Sequence, residues 1–165
     1  MSRSSNTEQS YAVRFSVVAR YTGQLCCVLA ALTGVPAVVA AALGEMQFLI
    51  GSAAGAFCLL AAGWGLTRFE APKELQRNEA LVVSGVAFLI APLAMIYPFM
   101  TAGLSFADAV FEAVSGVTTT GLTTVADVAS KSGAFHFARA WLQWFGGLGI
   151  VVLSSAILVR PGSVT

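Results

Sequence analysis

The stretch from Thr101 to Val128 constrains this chain most, because it places a short helix and an irregular turn between two long apolar segments. The flanking segments, Glu79–Met100 and Phe135–Val159, are long enough to cross a bilayer, which takes about 20 apolar residues. The helix expected over Ser105–Ser115 is too short to cross. Non-helical backbone is tolerated at membrane depth only inside protein or against a water-filled cavity. This order of elements therefore predicts a re-entrant pore loop.

Composition indicates the same class of protein. Hydrophobic residues make up 57% of the 165 residues and charged residues only 10%, whereas soluble domains carry about 25% charged residues. Two more segments of spanning length, Leu25–Leu43 and Gln47–Thr67, precede the pair described above. We therefore expect an all-α integral membrane protein with four spanning helices plus one re-entrant pore helix and filter loop. The net charge of +1 predicts no nucleic acid partner, and the lipid bilayer is the expected environment.

The chain divides near residue 78. Residues 1–78 combine a polar N-terminal segment with a two-helix hairpin that turns at Gly44–Met46, and residues 79–165 form the helix, pore loop and helix. A cleavable signal peptide is not expected, because the leading polar segment and the apolar run after it are both too long for one. The three cysteines fall inside predicted spans and are expected to pack as small hydrophobes, so no metal or cofactor is predicted.

The distribution of basic residues predicts the orientation. Four spans place both termini on one side, and that side carries seven of the nine basic residues, namely Arg3, Arg14, Arg20, Arg68, Lys73, Arg77 and Arg160. The opposite side carries only Lys131 and Arg139. Because basic residues in short loops favour the cytoplasm, we expect both termini in the cytoplasm and an inner-membrane protein whose pore loop enters from outside.

The short helix has a recognisable start. Ser105 and Asp108 fit a capping box, with Ser105 as the N-cap. The helix should bury one face, made of Phe106, Ala109, Val110 and Ala113. Its C-terminal end points into the membrane and presents the negative end of the helix dipole, which favours a cation there. Glu112 is expected to pack or hydrogen-bond behind the loop that follows.

The loop after this helix reads Val-Thr-Thr-Thr-Gly-Leu-Thr from Val117 to Thr123. Backbone carbonyls in such a segment can replace the hydration shell of a dehydrated cation, and Gly121 permits the positive φ that turns carbonyls toward one axis. Neutral oxygen ligands suit a monovalent alkali cation. The expected ligands are Thr118, Thr119, Thr120 and Gly121, the last three predicted to hold the ion most directly. The alternative is a polar turn outside the membrane, against which the uncharged stretch from Ser115 to Val125 weighs.

The last helix contains a glycine cluster and a single arginine near its start. Gly146 and Gly147 are expected to pack closely against the pore helix, because no Lys-Ser/Thr follows to make a nucleotide loop. Arg139 is expected either to repel cations or to pair with an acid such as Glu112 or Asp127. Asp108 and Glu112 have a spacing that would suit acid–base catalysis, but no nucleophile or metal accompanies them, so an enzyme is disfavoured.

Two segments together carry a family resemblance: FEAVSGVTTTGLTTV, which begins at Phe111, and WLQWFGGLGIVVLSSAIL, which begins at Trp141. They resemble the first pore repeat of the Trk/Ktr/HKT potassium transporter superfamily, in particular its TrkH-type members. The resemblance implies potassium transport and a filter centred on Gly121 with Thr118–Thr120 before it. It also implies support of the pore by the helix after the filter, through Gln143, Trp144, Gly146 and Gly147. The N-terminal hairpin is similar to the extra hairpin of TrkH-type proteins.

The same resemblance implies partners. Members of the superfamily resemble four non-identical pore repeats, and this sequence contains one filter, so the chain is expected to contribute one quarter of a selective pore. The other repeats would come from a downstream or separate chain, or from self-association into a homo-oligomer. A cytoplasmic nucleotide-binding regulatory subunit is a further partner implied by the family. The alternative is a non-conducting truncated or assembly subunit of a cation transporter.

Overall fold

The computed structural model describes residues 13–72 and 75–158, which contain five α-helices and no strand. Four of these helices are long and apolar enough to cross a membrane, and the fourth in chain order, with 12 residues, is not. This confirms the predicted fold class, an all-α membrane protein with four spans and a short pore helix. The helices are α1 (Phe15–Leu43), α2 (Met46–Thr67), α3 (Arg77–Thr101), α4 (Phe106–Val117) and α5 (Gly133–Leu158).

The helical bundle has two ends, a loop end and a terminal end. At the loop end lie the α1–α2 turn at Gly44, the end of α3 and the start of α5, joined by a hydrogen bond from the Lys131 ammonium to the Ala102 carbonyl, at 3.1 Å. At the terminal end lie the start of α1, the end of α2 and the start of α3. There the Arg14 guanidinium and the Glu79 carboxylate form a two-pronged contact, at 2.7 and 2.9 Å.

Helix α1 begins ten residues before the predicted span, at Phe15 rather than Leu25. The apolar run marks only the part of a helix that suits the hydrocarbon, and the helix continues through more polar residues at the terminal end. Gly23 holds this extension against α2, because a Cβ added there would lie 2.8 Å from the carbonyl oxygen of Gly63. A Cβ added at Gly63 would lie equally close to the carbonyl oxygen of Gly23. Only paired glycines permit so close an approach of two backbones.

The turn between α1 and α2 also fixes the start of α5. Gly44 adopts φ +73°, and the amide of Glu45 donates to the Ala40 carbonyl at 2.9 Å, which is a Schellman ending. This turn holds the Glu45 carboxylate where it accepts from the amide of Ala134, at 3.2 and 3.3 Å for the two oxygens. An acidic side chain at a helix N-terminus satisfies a free amide and complements the dipole. The hairpin therefore caps the helix that follows the pore loop.

A proline in α1 creates a second link to α5. Pro36 has no N–H, so the carbonyl of Leu32 lacks its helical partner. The indole Nε1 of Trp141 donates to that carbonyl at 2.8 Å. In a membrane an unpaired carbonyl costs several kcal/mol, so a donor from a neighbouring helix is a strong contact. It docks the middle of α5 against α1.

The core lies between α3, α4 and α5 near the loop end. Phe99 and Phe135 are fully buried with ring centroids 5.3 Å apart, and Ala109 and Ala113 of α4 pack with them. The prediction that Phe106 belongs to this face was wrong, because its side chain is 63% exposed. Phe106 lies in the first turn of α4, and Leu104 just before the helix takes the core position instead.

Candidate functional site

The pore helix α4 begins with the cap that the Ser-x-x-Asp pattern predicts. The Ser105 hydroxyl accepts from the Asp108 amide at 3.2 Å and donates to the Asp108 carboxylate at 2.6 Å. Hydrogen bonds from the side chains of Ser105 and Thr124 lower the pKa of Asp108 below its ordinary value. The carboxylate therefore stays ionised at the positive end of the helix dipole, where it stabilises α4.

The other end of α4 lies deep in the helical bundle. Its last residue, Val117, packs on Gly146 so closely that an added Cβ at Gly146 would collide with the Val117 carbonyl. Gly146 is 13 residues into α5, or about 20 Å from the start of that helix at 1.5 Å per residue. The helix thus runs inward from the loop end and stops well inside the span of α5. This is the geometry expected of a re-entrant helix.

The chain leaves α4 through two residues with positive φ. Thr119 has φ +59°, and its amide donates to the Gly116 carbonyl at 3.0 Å, so it takes the left-handed position where helices usually end in glycine. For a non-glycine residue this conformation costs about 1–2 kcal/mol. Gly121 has φ +76°, as predicted, and its amide reaches back to the Ser115 carbonyl at 3.3 Å. The surrounding structure holds this turn in a shape that Thr119 alone would not choose.

The four residues predicted as ion ligands have main-chain carbonyls that accept no hydrogen bond from the described residues. Among the residues that the structure describes, none donates a hydrogen bond to the main-chain oxygens of Thr118–Gly121, and all four residues are exposed. The hydroxyl of Thr118 donates to the Val114 carbonyl at 2.8 Å and lies 2.8 Å from the hydroxyl of Thr120. The turn therefore exposes residues whose hydroxyl and carbonyl oxygens carry no charge.

The next carbonyl, that of Leu122, is bound from behind. It accepts from the Ser115 hydroxyl at 2.7 Å and from the Arg139 guanidinium at 3.3 Å. Ser115 lies on the buried face of α4, one turn after Glu112, and this pair of polar residues on one helical face is the signal that could have identified Ser115 from the sequence. The boundary between free and bound carbonyls lies between Gly121 and Leu122.

Glu112 is fully buried and ties α4, the turn and α5 together. One carboxylate oxygen accepts from the Thr123 hydroxyl and from the Thr124 amide, the latter at 2.9 Å. The other lies 2.7 Å from Nε of Arg139, a close ionic contact rather than a well-aligned hydrogen bond. Of the alternatives left open for Arg139, the structure has the pair with Glu112. A buried carboxylate needs such a partner, because an unpaired charge in this position is very costly.

Helix α5 contacts the turn through three of the four predicted support residues. Gln143 Nε2 lies 3.7 Å from the position a Cβ would take at Gly121, and a Cβ at Gly147 would lie 3.4 Å from the Thr119 methyl. Gly146 supports Val117 as described above. Trp144 is not brought to the turn: its ring is 61% exposed and stacks on Trp141 with centroids 5.1 Å apart.

The turn offers oxygen atoms without net charge at the negative end of the α4 dipole. Among the described residues no group of three or more His, Cys, Asp or Glu side chains comes together to hold a metal ion. Carbonyl and hydroxyl oxygens without net charge can instead replace part of the water around a monovalent cation. The C-terminus of α4 adds the negative end of its dipole.

Four apolar helices of spanning length and a short helix that runs inward between them define a multi-pass membrane protein. Residues 50–164 match the TrkH family model, which is described as a cation transport protein. Since the match covers more than half of the chain, the chain belongs to the TrkH family of cation transport proteins.

Individual relatives are similar over parts of their length. An uncharacterized cation transporter of Methanocaldococcus jannaschii is 35% identical over 144 residues, which is 86% of this chain and 30% of the relative. The potassium uptake protein TrkG of Escherichia coli is 32% identical over 64% of this chain and 22% of its own length. TrkH of Halomonas elongata is 40% identical over 56% of this chain and 20% of its own length. The chain thus spans less than a third of each of these relatives.

Proposed function

We propose that this chain contributes one quarter of a potassium-selective pore, in which the carbonyl oxygens of Thr118–Gly121 bind the ion. The observation that carries the proposal is the division within one loop: the carbonyls up to Gly121 are free and exposed, while that of Leu122 is bound from behind. A rigid back and an open oxygen face are what a filter needs to replace hydration water without collapsing. Potassium as the ion is supported by relatives that are named potassium uptake proteins.

The proposed pore needs other segments. Carbonyls must surround an alkali cation from several sides, and potassium filters use four such segments. A single turn facing hydrocarbon would leave polar backbone groups unsatisfied, at a cost of several kcal/mol each. Non-identical repeats, on the same or a separate chain, are favoured over a homo-oligomer because the matched relatives are more than three times longer than their matched parts. A cytoplasmic nucleotide-binding regulatory subunit belongs to the same proposal.

The proposal also covers the orientation of the chain in the membrane and the separate roles of its two parts. Both termini lie in the cytoplasm of a cell whose inner membrane holds the protein, residues 1–78 anchor the unit, and residues 79–165 form the pore repeat. Arg14, Arg20 and Arg68 at the terminal end support this orientation, and Arg68 stacks over Trp64 at 3.6 Å, as suits an interface. Arg3, Lys73 and Arg160 lie outside the described residues. At the loop end, Lys131 and Arg139 are both held by acceptors within the chain.

The orientation is tested by single cysteines at Lys73 and Lys131 in a cysteine-free background. An impermeant thiol reagent applied outside intact cells should label Lys131→Cys and leave Lys73→Cys unlabelled until the cells are opened. Equal labelling of the two variants from outside would contradict the proposed topology.

The pore function is tested in a chimera in which residues 13–158 replace the corresponding segment of the Halomonas elongata TrkH. We expect the chimera to restore rubidium uptake in cells that lack potassium uptake, with potassium competing better than sodium. Gly121→Ser should reduce that discrimination, while Gly85→Ala, at a position with nothing within 4 Å of an added Cβ, should not. Uptake that needs the segment but is indifferent to Gly121→Ser would assign it an assembly role instead.

A further inference from the structure

The loop end holds a cavity of about 400 Å³ whose walls include charged and hydroxyl side chains. A smaller cavity in the middle of the bundle is lined by no polar side chain. This second cavity, of about 180 Å³, lies between α1, α3 and α5. Its walls include Leu29 of α1, Phe88 of α3 and Phe145 of α5, and its end wall is Val117, the last residue of the pore helix. Apolar cavities of about 150 Å³ stay dry and take up small apolar molecules. Water is therefore not the expected occupant.

The cavity lies at mid-height of α3 and α5 and is not closed. Its lining residues on α3 lie 10 to 14 residues from the start of that helix and those on α5 lie 12 to 16 residues from the start, which is the middle third of each span. Val28 at its rim is 55% exposed, so the cavity opens at the surface of the bundle. At that depth the surrounding medium consists of the ends of lipid acyl chains.

The cavity faces away from the proposed filter. On α5, Gln143 and Gly147 contact the turn, whereas Phe145 and Gly149 line the cavity. At about 100° per residue, Phe145 and Gly149 point about 120–160° away from Gln143 around the helix. Further pore repeats have to converge on the carbonyls of the turn to surround an ion. They therefore leave this flank of the bundle to the bilayer.

We propose that the cavity is a binding site for the terminal part of a phospholipid acyl chain, seated between α1, α3 and α5 against Val117. The chain end fills the space behind the close contact of Val117 with Gly146, the contact that fixes where the pore helix stops and the turn begins. A void there would leave the lining residues without packing partners. The bilayer thus supplies part of the back wall of the turn.

The experiment uses the 165-residue chain in phosphatidylcholine nanodiscs that contain a phosphatidylcholine with a diazirine at the end of one acyl chain. After photolysis, peptide mass spectrometry should find label on Leu29, Phe88 or Phe145. Ala87→Leu, which fills the cavity from α3, should reduce that label by about tenfold, because close-packed side chains leave no room for a methylene run. Ala61→Leu, on an exposed position of α2, is the matched control and should leave the label unchanged.

Three outcomes would overturn the proposal: absence of label on the cavity residues, label that persists in Ala87→Leu, and label that disappears when the further pore repeats are supplied. The last would make the cavity a contact between repeats. If Ala87→Leu does not fold, Leu29→Phe fills the cavity from the opposite wall and gives the same test. The proposed lipid site rests on the proposed function only for the position of the further repeats. Because labelling does not measure ion flux, the lipid site and the pore function can each fail without the other.

Discussion

The α1–α2 hairpin and the pore-loop unit of α3, α4 and α5 both bring backbones together at glycine, but with different results. In the hairpin, Gly23 and Gly63 face each other, and each prevents a clash with the carbonyl of the other. In the pore-loop unit, Gly146 makes room for Val117, and the chain beyond that contact is a polar turn that is exposed on one face. The hairpin contact joins two helices, whereas the pore-loop contact positions oxygen atoms.

The difference teaches where tight packing has a functional consequence. A shift of a few tenths of an ångström between α1 and α2 changes only how two apolar helices fit. The same shift at Val117 moves the first carbonyls of the turn, because Thr118 and Thr119 follow it directly and hydrogen-bond back into α4. Substitutions in the hairpin should therefore change stability alone, and substitutions behind the turn should change stability and ion selectivity together.

The largest expected effect comes from the buried ion pair. Arg139→Leu leaves the fully buried Glu112 carboxylate without its cation, and we expect a loss of about 3–5 kcal/mol in the free energy of unfolding. Arg14→Leu at the terminal end should cost less, because the Arg14 side chain is 39% exposed whereas that of Arg139 is 14% exposed, so water screens the Arg14–Glu79 pair more strongly. The free energies of unfolding of the two variants are measured by denaturation in detergent micelles and compared. Removing Glu112 as well, in the double variant with Glu112→Leu, should recover part of the loss.

The next effect separates the two glycine contacts. Gly146→Ala must displace the Val117 carbonyl, and overpacking of this kind costs about 1–3 kcal/mol. Gly63→Ala meets the Gly23 carbonyl and the Cys27 sulfur at 2.8 Å and should also lower the melting temperature. In the chimera, only Gly146→Ala should also reduce the preference for potassium over sodium. Equal selectivity in both variants would remove the distinction between hairpin and pore-loop unit. Gly65→Ala, with nothing within 4 Å of the new Cβ, is the neutral control.

A smaller effect on stability is expected at Gly121. The nearest atom to an added Cβ is Gln143 Nε2 at 3.7 Å, an ordinary contact, so only the positive φ opposes a side chain. Gly121→Ser and Gly121→Ala should therefore destabilise the protein similarly, by about 1–2 kcal/mol, and both should lower the permeability ratio of potassium to sodium. Unchanged ratios in both variants would show that this turn is not the filter.

The smallest effect concerns pH. The folded-state pKa of Asp108 is depressed by Ser105 and Thr124, so its stabilisation is fully present above the unfolded value, about 3.9. It is lost as the pH falls through the lower folded-state pKa. Asp108→Asn should remove this part of the acid sensitivity, leaving the variant's melting temperature less dependent on pH below about 4. A melting curve whose acid dependence is the same in both proteins would contradict this role of the cap.

Local chemistry in the sequence determined the membrane class, the four spans, the cap at Ser105 and the positive φ at Gly121. Each of these follows from residues that are neighbours in the chain: apolar runs long enough for a bilayer, a hydroxyl three residues before an acid, and a glycine within a turn. The same reasoning placed the start of α1 too late, because hydropathy detects the bilayer and not the helix that continues beyond it.

Only the tertiary structure decided which distant groups meet. Glu112 pairs with Arg139, which lies 27 residues later in the sequence. Trp141 donates a hydrogen bond to the carbonyl that Pro36 leaves free in α1. The left-handed Thr119 was not predictable either, since its own preference is against that conformation and it is adopted where the turn packs against Gly147 of α5. These features depend on how helices pack against one another. Packing is set by shape and by the need to pair buried polar groups, neither of which can be read from a run of neighbouring residues.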